Sequence, residues 1–185
     1  MAAGKSTNEI YYGISNGKIV RQFLNKTDNS VERINKNGRI VYEVFYDFID
    51  GVIMNISIKA HDEYGKFWQV VLKDEESGTV QNLQFNYSSG YANGFLKALP
   101  NIDLSQKVKI IPNAKKEADK TKTTIFLKQF DKVIKWYFTK ANPNGLPELK
   151  KIKIKGKSTW DDSEAMEFLE SMVINQILPK ILRPA

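Results

Sequence analysis

Residues 39–59, RIVYEVFYDFIDGVIMNISIK, decide how this sequence is read. Ile40, Tyr42, Val44, Tyr46 and Phe48 alternate with Glu43 and Asp47, the period of two that a strand presents to a one-sided core. Beyond Gly51, Val52, Met54, Ile56 and Ile58 alternate in the same way with Asn55, Ser57 and Lys59. A long strand with a glycine near its middle reads as a bent strand or a bulge.

Outward from this stretch, His61 to Gly65 is a polar turn and Phe67 to Lys73 a second strand, with Trp68, Val70 and Leu72 on one face. Asp74 to Gly78 turns again, and Val80 to Tyr87 forms a third strand with Leu83, Phe85 and Tyr87 inward. The period then changes. Tyr91, Phe95, Ala98 and Leu99 stand at helical spacing, and Pro100 stops that element. Lys107–Ile111 and Thr123–Phe130 return to strand, joined by a Lys-rich segment, Asn113–Lys122, read as an exposed loop. Three strands, a short helix and two more strands form the element order of the OB-fold, a five-stranded Greek-key barrel. A split β-sandwich shares much of this spacing.

Additions flank the expected barrel. Ile10–Phe23 reads as an N-terminal hairpin around Ser15-Asn16-Gly17, and Lys132–Phe138 as a further hairpin. Lys151-Ile152-Lys153-Ile154-Lys155 reads as an edge strand protected by charge, and equally as a phosphate contact. Asp161–Leu182 reads as a long helix whose Asp161, Asp162 and Glu164 complement its positive end. Its stripe of Ala165, Leu169, Met172, Val173, Ile177 and Ile181, widened by Phe168, Ile174 and Leu178, requires cover from the barrel or from a second copy of the chain. The 185 residues are thus expected to form one domain: an N-terminal arm (1–38), a barrel (39–130), a hairpin and basic loop extension (131–160) and an amphipathic helix (161–185).

The net charge of +7 is unevenly placed. Residues 97–157 carry 16 Lys and Arg against 5 Asp and Glu, a net of +11, whereas residues 1–96 carry 10 against 11. A one-sided positive field suits a polyanionic partner, although a solvated Lys-rich surface has the same composition. No apolar run is long enough to span a bilayer and the N-terminus lacks the apolar centre of a secretion signal, so a cytoplasmic protein without membrane contact is expected.

Enzymatic readings find little support. Cys is absent and His61 is the single histidine, so thiolate chemistry and His or Cys metal clusters are excluded. Gly-Lys-Ser-Thr occurs at 4–7 and 156–159, but Lys151 stands where a phosphate-binding loop needs its first glycine. The acidic clusters at Asp62-Glu63 and Asp74-Glu75-Glu76 are held apart by a whole strand, too far to share metal ions. No catalytic residue, metal or cofactor is expected.

A binding role fits better. In an OB barrel the ligand crosses strands two and three between two loops. If Trp68 faces the core, the outer face carries Phe67, Gln69 and Lys73, then Asn82, Gln84 and Asn86, with Lys59 beside them. Tyr64 and Lys66 occupy the first loop, and Lys115, Lys116, Lys120 and Lys122 the second. Trp136, near Lys132 and Lys135, forms another aromatic-basic patch that either extends the track or packs under the C-terminal helix. Aromatic platforms beside lysines are what sequence-tolerant binding of single-stranded nucleic acid requires.

The stretch from Glu43 through Gly51 to Glu63-Tyr64-Gly65, with Asn142-Pro143-Asn144-Gly145-Leu146-Pro147, resembles OB-fold single-stranded DNA-binding proteins of tailed bacteriophages, over roughly residues 38–150. The resemblance implies non-catalytic coating of single-stranded DNA during replication or recombination, in the cytoplasm of a bacterial host. It also implies base stacking on Phe67 and Tyr64 and partnership with replication or recombination proteins. Its acidic segment, Asp161–Glu170, departs from the family's disordered acidic tail by falling inside the predicted helix. A non-catalytic protein-interaction or virion-associated module on an OB-like scaffold is the competing expectation.

Overall fold

The computed structural model describes residues 9–181; the first Gly-Lys-Ser-Thr copy and the end of the predicted C-terminal helix at Leu182 lie outside them. The chain is mainly β. The N-terminal part contributes β1 (Glu9–Ser15), β2 (Lys18–Phe23), β3 (Val31–Ile34) and β4 (Ile40–Tyr46). The central part contributes β5 (Ile49–His61), β6 (Gly65–Lys73), β7 (Val80–Asn86), α1 (Gly90–Ala98), β8 (Val108–Glu117), β9 (Lys120–Gln129) and a short β10 (Lys132–Val133). A separate ribbon, β11 (Lys150–Ile154) and β12 (Lys157–Asp161), leads into the C-terminal helix: α2 (Ser163–Met172), a π turn (Val173–Ile177) and α3 (Leu178–Ile181).

The first ten strands form one sheet in the order β10-β9-β8-β5-β6-β7-β1-β2-β4-β3. Gly51 marks its corner. Up to Gly51, β5 pairs with β8, and from Val52 it pairs with β6. A Cβ at Gly51 would stand 2.8 Å from the Lys73 carbonyl oxygen, so the handover requires a residue without one.

The five-stranded closed barrel expected from the sequence is not found among the described residues. The ladder is open, because the edge of β7 is taken by β1, which pairs with it in parallel from Glu9↔Val80 to Tyr12↔Leu83. The β1–β2 hairpin then reaches across to β8. Its turn residue Gly17 lies so close to Ala114 that a Cβ would come 2.6 Å from the Ala114 nitrogen, and the Gly17 N–H donates to Tyr91 Oη at 2.9 Å. Helix α1 lies directly on β9, where a Cβ at Gly94 would come 2.6 Å from the Ile125 nitrogen. The β1–β2 turn and α1, and not ladder hydrogen bonds, therefore span the gap between β7 and the β8–β9 hairpin.

Four further expectations are corrected. The strand pattern of residues 40–59 is two strands, broken at Asp47–Phe48, and β4 pairs with β2 and β3 instead of continuing β5. Within β4 the buried side is Val41 and Glu43, not Ile40 and Tyr46, because Arg33 and Gln22 both reach the Glu43 carboxylate. In β5 a bulge between Ile53 and Asn55 changes the phase, so Ile53 is buried and Met54 exposed. Residues 113–122, read as a loop, are the outer half of the β8–β9 hairpin, in register from Asn113↔Thr124 to Glu117↔Lys120.

Trp68, Val70, Leu72, Leu83 and Phe85 point into the core, as the alternation predicts, and meet Phe95 and Leu96 of α1. The C-terminal helix covers the same core with Leu169, Met172, Val173 and Ile177. The centre of its stripe is thus buried within the chain, whereas Ile174 at its margin is exposed. Among the described residues no helix is long and apolar enough to cross a membrane.

Candidate nucleic-acid interface

Across β5, β6 and β7 the outward residues fall into rows set by register. Lys59, Phe67 and Asn86 form one row, Ser57, Gln69 and Gln84 the next, and Asn55, Val71 and Asn82 the third. The middle rows are tied by amides: Gln84 Nε2 donates to Gln69 Oε1 at 2.8 Å, and Gln69 Nε2 donates to Asn82 Oδ1 at 3.3 Å. Asn82 is buried and its Nδ2 has no partner.

A concave site of about 540 Å³ opens at the Phe67 end of these rows. Phe67, Gln84 and Asn86 line it, together with His61 at the end of β5, Tyr64 from the β5–β6 turn, Ile14 of β1, Tyr91 of α1 and Thr123 of β9. The His61 and Tyr64 rings lie 4.8 Å apart. None of the lining side chains is acidic. A second hollow, of about 730 Å³, shares Gly13, Ile14 and Gln84 with the first and extends past Tyr11 and Phe45 to the Arg33–Glu43 pair. Arg33 holds the Glu43 carboxyl below its ordinary pKa by a 2.6 Å hydrogen bond. The two hollows make a track with exposed rings at both ends, Tyr64 at one and Tyr11 and Phe45 at the other.

The structure brings together Phe67, Tyr64, Gln69, Asn82, Gln84, Asn86 and Lys59 from the expected set. Lys73 is exposed on the same face but at the opposite end of β6, beside Val52 and Val80. Lys115, Lys116, Lys120 and Lys122 extend from the border of the site, because Thr123 pairs with Ala114 and Lys116 lies two residues further along that face. Lys122 and Lys115 both reach Glu117, at 2.7 Å and 3.5 Å, which offsets part of the hairpin's charge.

Two expected residues fall elsewhere. Lys66 shares the inward phase of Trp68, and its Nζ lies 5.3 Å from the centre of the Tyr87 ring. Tyr87 stacks on Trp68 at 5.6 Å and donates its hydroxyl to Glu170 Oε2 at 2.7 Å; burial and that carboxylate raise its pKa. Trp136 sits at the far end of α1 under Lys97, whose Nζ is 5.1 Å from the ring centre. Two residues on, Phe138 is buried and packs edge-on against Phe168 of α2, whereas Trp136 and Tyr137 stay partly exposed and line neither hollow.

Sequence reasoning missed His61, Tyr91 and the β1 residues. His61 continues the outward phase of Ser57 and Lys59, a signal present in the alternation itself. The contributions of β1 and α1 depend on long-range pairing that no local pattern records. Among the described residues no group of three or more His, Asp or Glu side chains could hold a metal ion. No protein-family model, curated protein or solved structure matches this chain.

Proposed function

We propose that this protein binds single-stranded nucleic acid, DNA above all, along the track that runs from the Phe67 site on β6 and β7 across β1 towards β2 and β4, on an OB-like frame. The frame is suggested by the order β9-β8-β5-β6-β7, with α1 between the third and fourth of these strands in sequence. The observation that carries the reading is the site formed by Phe67 and Tyr64 with Gln84 and Asn86, free of acidic groups and bordered by the Lys-rich β8–β9 hairpin. A stacked base contributes ~1–3 kcal/mol on an aromatic platform, and lysines add a phosphate term that weakens with salt. The amides add hydrogen bonds to base edges without requiring one sequence. Coating of single strands in replication or recombination is the role such binding serves.

Fluorescence anisotropy with matched single- and double-stranded oligonucleotides tests this directly. Tighter binding of the single strand, falling steeply as salt rises, is the expected result. Equal binding of both forms, or affinity indifferent to salt, would sink it. A protein-interaction module is the second reading, favoured by β3, an edge strand whose Val31 and Ile34 are both exposed. Absence of oligonucleotide binding at low salt would transfer the weight to that reading.

A further inference from the structure

The ribbon β11–β12 belongs to neither the sheet nor the core. It pairs only with itself, and every residue in it except Ile152 and Asp161 is exposed. Two strands without a packed face are marginal in water, so such a ribbon gives the domain little stability. Its charge is one-sided: Lys150, Lys151, Lys153, Lys155 and Lys157 stand against Asp161 alone. The register Lys151↔Trp160 and Lys153↔Ser158 places two lysines and a tryptophan on one face. Trp160 is 62% exposed, and Lys151 Nζ lies 5.8 Å from its ring centre.

The ribbon's root adjoins the track. Ser88, two residues past Asn86 of the groove lining, donates its hydroxyl to the Asp162 carboxylate immediately after β12. Lys150 at the other root is ion-paired with Glu164 of α2. The ribbon is thus rooted within a few residues of the groove lining, and its exposed ring shares one face with Lys151 and Lys153.

We infer that the β11–β12 ribbon is a second contact for the same single strand, with Trp160 as a stacking platform and Lys151 and Lys153 as phosphate contacts. This rests on the groove reading above and extends it. The ribbon lengthens the bound segment and distinguishes long single strands from short ones. Its occupant is the nucleic acid and not a protein, because five lysines flank the ring and the ribbon carries one carboxylate.

The test compares the intact protein with the triple variant Lys151→Gln, Lys153→Gln, Trp160→Ala on oligo-dT of about 8 and about 30 nucleotides, lengths that bracket one binding surface. The expected result is unchanged affinity for the short strand, roughly tenfold or greater loss for the long one, and a smaller occluded site. Trp160→Phe retains a ring and is expected to keep long-strand affinity near the original value. Unchanged long-strand affinity in the triple variant overturns the ribbon's role and leaves the groove standing. Equal loss on both lengths at unchanged thermal stability overturns it as a separate contact, and loss confined to a duplex overturns its choice of ligand. Failure of the unsubstituted protein to bind either length sinks the groove reading and the extension together.

Discussion

The two faces of β6 are built from alternate residues of one nine-residue strand, and they differ in almost every physical respect. Inward, Trp68, Val70 and Leu72 are sealed, and the one polar atom among them, Trp68 Nε1, donates to the Tyr87 carbonyl at 3.2 Å. Outward, Phe67, Gln69 and Val71 are partly open, the amides are linked to one another, and Asn82 keeps a donor without an acceptor. The unpaired amide of Asn82 lies two rows from Phe67, so the outer face combines a partly open ring at one end with an unsatisfied donor further along. The difference teaches that the inner face secures the strand and the outer face is free to serve a ligand.

That contrast breaks most readily at Trp68. Trp68→Ala removes the largest fully buried side chain of the strand and the ring on which Tyr87 stacks. The expected loss is ~3–5 kcal/mol of stability, measured by denaturant unfolding. Phe67→Ala is expected to leave unfolding nearly unchanged and to cost ~1–3 kcal/mol of single-strand affinity in an anisotropy titration. If Phe67→Ala unfolds the protein and Trp68→Ala only weakens binding, the assignment of the two faces is inverted.

The smallest effect sharpens the contrast most. Asn82→Leu forfeits the hydrogen bond from Gln69 but also removes a buried unpaired donor. Those terms, about 1 and ~1–3 kcal/mol, oppose each other, so the net change is expected to lie between about zero and ~2 kcal/mol in favour of the variant. A loss of several kcal/mol on unfolding would show that the outer amides hold the sheet and are not spare.

The phase of β6 and β7 was legible because Trp68, Val70, Leu72, Leu83 and Phe85 alternate without interruption. Helix α1 was legible from Tyr91 to Leu99 by its change of period and the proline beyond it. The allegiance of β4 was not, since alternation records which side faces apolar matter and nothing about which strand lies alongside. Lys115, Lys116 and Lys120 suggested a loop because lysine has weak strand propensity, yet a hairpin rooted in Val108 and Ile110 and in Ile125 and Leu127 carries them outward in register. The expected closure failed for a related reason. The parallel pairing of β1 with β7 is wholly non-local, and no residue near Glu9 announces Val80 as its neighbour. Half of the candidate site, Ile14 and Tyr11 included, depends on that pairing.

The contact of Gly17 with Tyr91, 74 residues away, also sets an order of events when the chain is made from its N-terminus. Strands β1 to β4 emerge first and can pair among themselves, but β1 has no β7 to join until residue 86 has appeared. The hairpin tip then waits longer, for Tyr91 and Ala114. Ile19, fully buried in the finished protein, has no core to enter during that interval. Strands β1 and β2, made before the partners they need, are thus among the last elements to be fixed, and closing so long a loop is the kind of step that makes β proteins slow to fold and exposed to aggregation meanwhile.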